Sequence, residues 1–276
     1  MMNLFQVARD NAESFSRRYE SLRDTMREAA SQLDRFVAAV RIEGRLAVNR
    51  RPKDLLRFLA LEGSLHNAYE WAAKLERRSG QPREELLRLW LADFYERRMV
   101  FDRFLEQGER FRYGALNMGG LGVVSFGEYC LVFRESFAEG LDDLAYLWAN
   151  SLETYLLPGS VVDEARLQSD ACPHSHRHLL AALKHGRDAA DLAEDRWPAL
   201  VCSLDDFIEV IFVGSPVPTD LQAVRMDLFD HDLYSEYVAD AALGWLSDND
   251  RQIVEDFDII LSLLEKNSIP LETVAA

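Results

Sequence analysis

A chain of 276 residues is long for one small domain and short for three, and at 48% hydrophobic it can bury a sizeable core. Every apolar run is interrupted by charge before the ~18 to 20 residues that a membrane span needs, and MMNLFQVARDNAES lacks the basic-then-apolar layout of a secretory signal, which together point to a cytoplasmic protein without a membrane segment. The net charge of -16 is lopsided, with 23 Lys+Arg against 20 Asp+Glu in residues 1–138 and 8 against 27 in residues 139–276.

So acidic a second half repels a phosphate backbone, so direct nucleic-acid binding is not expected there, and a basic partner protein suits it better. Three cysteines, Cys130, Cys172 and Cys202, match neither a disulfide framework nor a zinc ribbon and read as reduced thiols.

In chain order, Phe5, Ala8, Ala12, Phe15, Tyr19, Leu22, Met26, Ala29, Leu33, Phe36 and Val40 alternate spacings of three and four. A 3.5-residue period of that length predicts one helix of roughly 55 Å with a narrow seam for a partner helix, from this chain or another. Pro52 opens a second helix, Ser64 caps a third that Gly80 stops, and Pro82 opens a fourth that runs to Gly108. Residues 1–108 therefore read as a helical domain.

The character changes at Phe111. FRYGALNMGGLGVVSFGEYCLVF reads as an irregular glycine loop leading into a strand at Tyr129 to Phe133, and LDDLAYLWANSLETYL and SHRHLLAALKHGRDAADLAED as helices. DFIEVIFV is the best strand in the sequence, GSPVPTD a turn, and LQAVRM a shorter strand. LYSEYVADAALGWL and, after a Ser247 cap, DNDRQIVEDFDIILSLLEK return to helix. Residues 109–276 thus read as an α+β domain ending in helices, with strands confined to roughly 111–230.

YGALNMGGLG before VVSFGEYCLVF, followed about eighty residues later by DFIEVIFVGSPVPTD, resembles a pattern in bacterial proteins of the ADP-ribosyltransferase fold. The match covers Tyr113 to Asn117, Phe126-Gly127 and Ile208 to Pro216. The resemblance implies a small mixed-sheet domain packed on the helical one, with NAD as a substrate and a protein or other macromolecule as acceptor. It implies Glu209 as the catalytic acid and Arg112, Tyr113, Asn117, Asn150 and Ser151 as the groups that grip NAD. Two departures stand out: Phe207 lies where arginine-modifying members have an acid or glutamine, and NSLETY lacks the Ser-Thr-Ser form.

Read from the residues alone, Glu209 alternates with Phe207 and Ile211 on one strand face, so its carboxylate should be desolvated and its pKa raised. Cys172-Pro-His174-Ser-His176-Arg-His178 offers four potential metal ligands, but a helix start after Pro173 makes them diverge, and it reads as a helix entry. No Walker loop, Rossmann fingerprint or Gly-x-Ser-x-Gly elbow occurs, and Cys130 in YCLVF reads as a core residue. The alternative to a transferase is a non-catalytic acidic binding protein, such as an antitoxin, an immunity protein or an inhibitor.

Overall fold

The computed structural model describes residues 1–243 and 246–275 and is an α+β protein built around an eight-stranded mixed sheet. The expected long helix is four pieces: α1 (Leu4–Asp10), α2 (Ala12–Thr25), a 3₁₀ turn (Arg27–Ala29) and α3 (Ala30–Glu43). The backbone leaves helical geometry at Met26 (φ -101°, ψ 36°), and the chain folds back on itself. The Tyr19 hydroxyl donates to Asp34 Oδ1 at 2.7 Å, whereas a straight helix would hold residues fifteen apart at about 22 Å. The heptad survives in part: Phe5 and Ala8 join a separate core, while beyond them both limbs face α11 (Arg177–Asp191), with Phe15, Leu33 and Phe36 wholly buried and Tyr19, Leu22 and Met26 half-buried. At Gly186 of α11 a Cβ would lie 2.5 Å from the Leu33 side chain, so its absence allows the close approach.

A strand absent from the sequence reading follows, β1 (Arg45–Arg50), and it corrects the expectation that residues 1–108 are helical. The helices α4 (Pro52–Leu56), α5 (Ala68–Ser79), α6 (Arg83–Leu91) and α7 (Tyr95–Phe104) come next. Asn67, not Ser64, caps α5, in a reciprocal box with Glu70, and Gly80 ends it at φ 71° as expected. Ala92 at φ 44° separates α6 from α7 where one continuous helix was expected.

The second correction is β2 (Arg112–Asn117), where a loop was expected. Then β3 (Tyr129–Phe133), as expected, leads to α8 (Glu135–Glu139). LDDLAYLWANSLETYL is not a helix: it holds β4 (Leu144–Leu147), buried on both faces, and the short α9 (Ser151–Thr154). A two-stranded hairpin, β5 (Leu156–Leu157) and β6 (Val161–Val162), α10 (Glu164–Asp170) and β7 (Cys172–Pro173) precede α11. After α12 (Trp197–Val201) come the expected strands β8 (Glu209–Phe212) and β9 (Leu221–Asp227). The chain then forms α13 (Leu228–Ala242), α14 (Asp248–Lys266) under its Ser247 cap, and β10 (Leu271–Val274), which extends the strands beyond residue 230. Gly244 and Trp245 of the expected LYSEYVADAALGWL helix lie outside the described residues.

The strand order is β10-β9-β3-β1-β2-β8-β4-β7, antiparallel throughout except β10 beside β9. Alternation divides the core. Val48, Leu131, Tyr146, Val210 and Phe212 meet Phe36, Val40 and Leu180 on one face, while Ala145, Leu147 and Ile211 meet Phe5, Phe101 and Leu167 on the other. Among the described residues no helix is long and apolar enough to cross a membrane.

Candidate functional site

Two adjacent strands part in the middle of the sheet. β1 and β2 pair only at Arg45↔Asn117, Leu46↔Leu116 and Ala47↔Ala115. Beyond that, β1 keeps β3 as far as Arg50↔Tyr129 while β2 keeps β8 as far as Arg112↔Phe212. The wedge so opened is the narrow end of a cleft of about 1100 Å³, roofed by α5, α6 and α7.

Glu209, at the start of β8, lies on its floor, 4% exposed and in register with Ala115 on one side and Leu147 on the other. Its Oε2 accepts the Ser151 backbone N–H at 2.8 Å. Burial pushes its carboxyl up to about 7, against the pull of Arg98 and of hydrogen bonds from Ser151, and with a smaller push from Asp102. The desolvation expected from its apolar strand face is therefore present.

Arg98, from α7, links the floor to the roof. Its guanidinium stands 3.6 Å from the centroid of the Tyr113 ring, 3.7 Å from Asp102 Oδ1, and Nη1 donates to Ser151 Oγ at 3.4 Å. Burial alone would lower its pKa, but Tyr113, Asp102 and Glu209 together raise it. Asp102 is itself buried and accepts hydrogen bonds from Tyr113 and, at 2.8 Å, from Tyr69. Burial raises its pKa while Arg98 and the two phenols oppose the shift. A buried acid held by a cation and several donors stays fixed, so Asp102 holds Arg98 and Tyr113 in place over Glu209.

Of the residues singled out in the sequence, Tyr113, Ser151 and Glu209 come together here. Asn150 lines the cleft, but its Oδ1 caps α9 by accepting from the Leu152 N–H at 3.0 Å. Arg112 lies on the opposite strand face from Tyr113, and its Nη2 donates to both Glu70 oxygens, at 2.9 and 2.7 Å, while Nε donates to the Leu65 carbonyl at 2.7 Å. Its fork is occupied by protein. Asn117 does not reach the cleft: it exchanges hydrogen bonds with Gly120 at 2.8 and 2.9 Å and pins the glycine loop.

Sequence reasoning missed Arg98 and Asp102, although the i,i+4 pairing in RRMVFDRF is visible. It also missed the aromatic rim, where Trp90, 41% exposed, stacks on Trp71 with centroids 5.8 Å apart and planes at 19°. In the histidine segment, His174 meets the Tyr146 hydroxyl at 2.9 Å and Glu135 at 3.2 Å. Among the described residues no group of three or more His, Cys, Asp or Glu is placed to hold a metal ion. Cys130 is buried, and burial pushes its thiol up to about 11, away from nucleophile behaviour. No protein-family model matches the chain, and no curated protein matches it in sequence.

Proposed function

We propose that this chain is an NAD-dependent ADP-ribosyltransferase acting on a protein or other macromolecular acceptor, with Glu209 as its catalytic carboxylate and an ADP-ribosyltransferase-like domain formed around the parted strands. The observation that carries this reading is a desolvated carboxylate at the floor of a large cleft whose walls offer guanidinium groups and aromatic rings. Its volume of about 1100 Å³ lies just above the ~300 to 1,000 Å³ typical of ligand sites, enough for a dinucleotide.

The chemistry follows from charge. As the bond from ribose to nicotinamide breaks, the bonding pair leaves with the nicotinamide and positive charge builds on the ribose. A carboxylate held in a dry site stabilises that charge more in the transition state than in the ground state. The Ser151 N–H fixes Glu209 Oε2 at 2.8 Å. Arg98 favours the ionised form against burial, so the group is poised near neutrality. The acceptor nucleophile then takes the ribose carbon, and its proton passes to solvent or to Glu209.

Nicotinamide release from NAD tests the reading. Glu209→Gln should reduce it by two or more orders of magnitude while NAD binding persists; unchanged turnover would remove Glu209 from catalysis and the reading with it.

One observation favours a docking role as well. On α13, Phe229 is 73% exposed beside Asp230 and Asp232, an apolar spot in an acidic surface that suits a basic partner protein. Co-purification of one stoichiometric basic protein, lost in Phe229→Asp, is the expected result.

A further inference from the structure

We propose that Arg50 anchors a phosphate subsite in the wedge between β1 and β2, where its guanidinium receives an oxyanion of a phosphate or diphosphate ligand. Arg50 is the last residue of β1, it lines the cleft, and it lies where β1 has already parted from β2.

Arg50 Nη1 donates to the neighbouring Asn49 carbonyl at 2.8 Å, and among the described residues no carboxylate forms an ion pair with it. Asp54 is near enough to be felt, but its Oδ1 is paired with Arg57 at 3.3 Å. Three other arginines of the cleft are occupied: Arg112 by Glu70, Arg98 by Asp102 and the Tyr113 ring, Arg57 by Asp54 and, at 5.1 Å, the Trp71 ring. Arg50 alone among these four lacks a carboxylate, and Arg112 adds repulsion from across the wedge.

Burial pulls the Arg50 guanidinium down to about 10, so it remains charged at neutral pH in surroundings that disfavour charge. A desolvated cation with unused donors is a cost to the folded protein unless an anion arrives to meet it. Phosphate oxygens match the planar fork of a guanidinium in two parallel hydrogen bonds. The adjoining Arg51 and Lys53, exposed on the rim without a carboxylate partner among the described residues, favour a multiply charged phosphate over a single carboxylate.

The site is held in place by its surroundings. Asn49 Nδ2 donates to the Leu121 and Gly127 carbonyls at 2.9 and 3.0 Å, and its Oδ1 accepts from the Val123 N–H at 2.8 Å, which clamps the glycine loop onto the end of β1. The subsite needs only a phosphate; assigning that phosphate to the NAD diphosphate rests on the transferase reading above.

Isothermal titration of the intact protein with inorganic pyrophosphate and with ADP tests it, with malonate as the carboxylate control. Wild type should bind both phosphates and bind malonate at least tenfold more weakly. Arg50→Gln should weaken pyrophosphate and ADP at least tenfold, Arg50→Lys should recover part of the loss, and Arg50→Gln should melt no lower than wild type because it removes a half-buried charge that no carboxylate pairs. Equal pyrophosphate affinity in wild type and Arg50→Gln, no pyrophosphate binding by wild type, or tighter malonate binding would overturn the subsite. Arg50-dependent pyrophosphate binding by a protein that releases no nicotinamide from NAD would leave the subsite standing and remove the transferase reading. Glu209-dependent nicotinamide release with pyrophosphate affinity and KM for NAD unchanged in Arg50→Gln would do the reverse.

Discussion

The guanidinium of Arg98 stands 3.6 Å from the centre of the Tyr113 ring, so a helix residue and a strand residue form one surface directly above Glu209. The contact is more than packing. The ring shields the cation from water, Asp102 neutralises it from behind at 3.7 Å, and its remaining field reaches the Glu209 carboxylate. The ionisation of Glu209 is thus set by a residue on a different element.

Replacing Arg98 separates these roles. Arg98→Gln leaves Asp102 buried without its cation and should cost about 3 to 5 kcal/mol in a denaturant titration. It should also move the acidic limb of nicotinamide release to higher pH, because the charge that lowers the Glu209 pKa is gone. Arg98→Lys keeps the charge and should hold that limb near its wild-type position. Identical limbs in all three proteins would show that Arg98 does not act on Glu209.

Glu209 also leaves a signature in stability against pH. Its pKa rises from an ordinary 4.5 to about 7 on folding, so the folded state holds the proton more tightly. That contribution is full below pH 4.5 and is lost as pH rises through 7. Glu209→Gln escapes the loss and should be more stable than wild type by up to about 3 kcal/mol above pH 7, with the difference vanishing near pH 4.5. The same ionisation sets activity, which should climb through pH 7 and level off above it. Chemical denaturation at pH 4.5, 6 and 8 reads the first effect.

The part of the site around Glu209 is legible in the sequence because strand signals and chemistry coincide there. DFIEVIFV and YCLVF are apolar runs bounded by turns, and each became a strand. RLAVNR and LAYL were not legible: they are short, and buried faces rather than alternation hold them in the sheet, a fact of tertiary context. YGALN was hidden by its glycine, which serves to let β1 pass, since a Cβ on Gly114 would lie 2.4 Å from the Ala47 carbonyl. The heptad marks a buried seam at Phe15, Leu33, Phe36 and Val40 but not at the half-buried Tyr19, Leu22 and Met26, and it is not one helix, because a turn that returns both limbs to the same partner preserves the period. Arg98 and Asp102 were missed because only the crossing of α7 over β8 gives them meaning. Arg112 and Asn117 have suitable chemistry, but Glu70 and the glycine loop occupy them, and no spacing rule reveals that.

One buried and two half-buried histidines should make the protein labile to acid. Burial, with help from neighbouring cations, lowers His174, His178 and His185 from an ordinary 6.5 to about 4. A group whose folded pKa is depressed contributes stability that is present above pH 6.5 and lost as pH falls through 4. His185, only 3% exposed and with a buried Nε2 that has no hydrogen-bond partner, should account for about 3 kcal/mol of that loss. His185→Gln should flatten the stability profile between pH 6.5 and 4, a window in which Glu209 acts in the opposite direction. An unchanged slope would place the acid lability elsewhere.

Gly127 connects the glycine loop to the wedge, and a single methyl group tests the connection. Its φ of 146° is a conformation that side-chain-bearing residues rarely adopt, and a Cβ there would lie 2.1 Å from the Arg50 carbonyl carbon and 2.5 Å from the Arg51 nitrogen. Those atoms are backbone and cannot swing aside, so the end of β1 would have to shift. Gly80 is the control: its φ of 71° also disfavours a side chain, but a Cβ there meets nothing within 4 Å. Gly80→Ala should cost about 1 to 2 kcal/mol from backbone strain alone. Gly127→Ala should cost that and a further 1 to 3 kcal/mol, roughly, for the close approach. The two variants should differ in binding as well, because moving the Arg50 backbone displaces its guanidinium: pyrophosphate affinity should fall in Gly127→Ala and stay at the wild-type value in Gly80→Ala. If Gly127→Ala is destabilised yet binds pyrophosphate as wild type does, the loop supports the sheet without positioning Arg50.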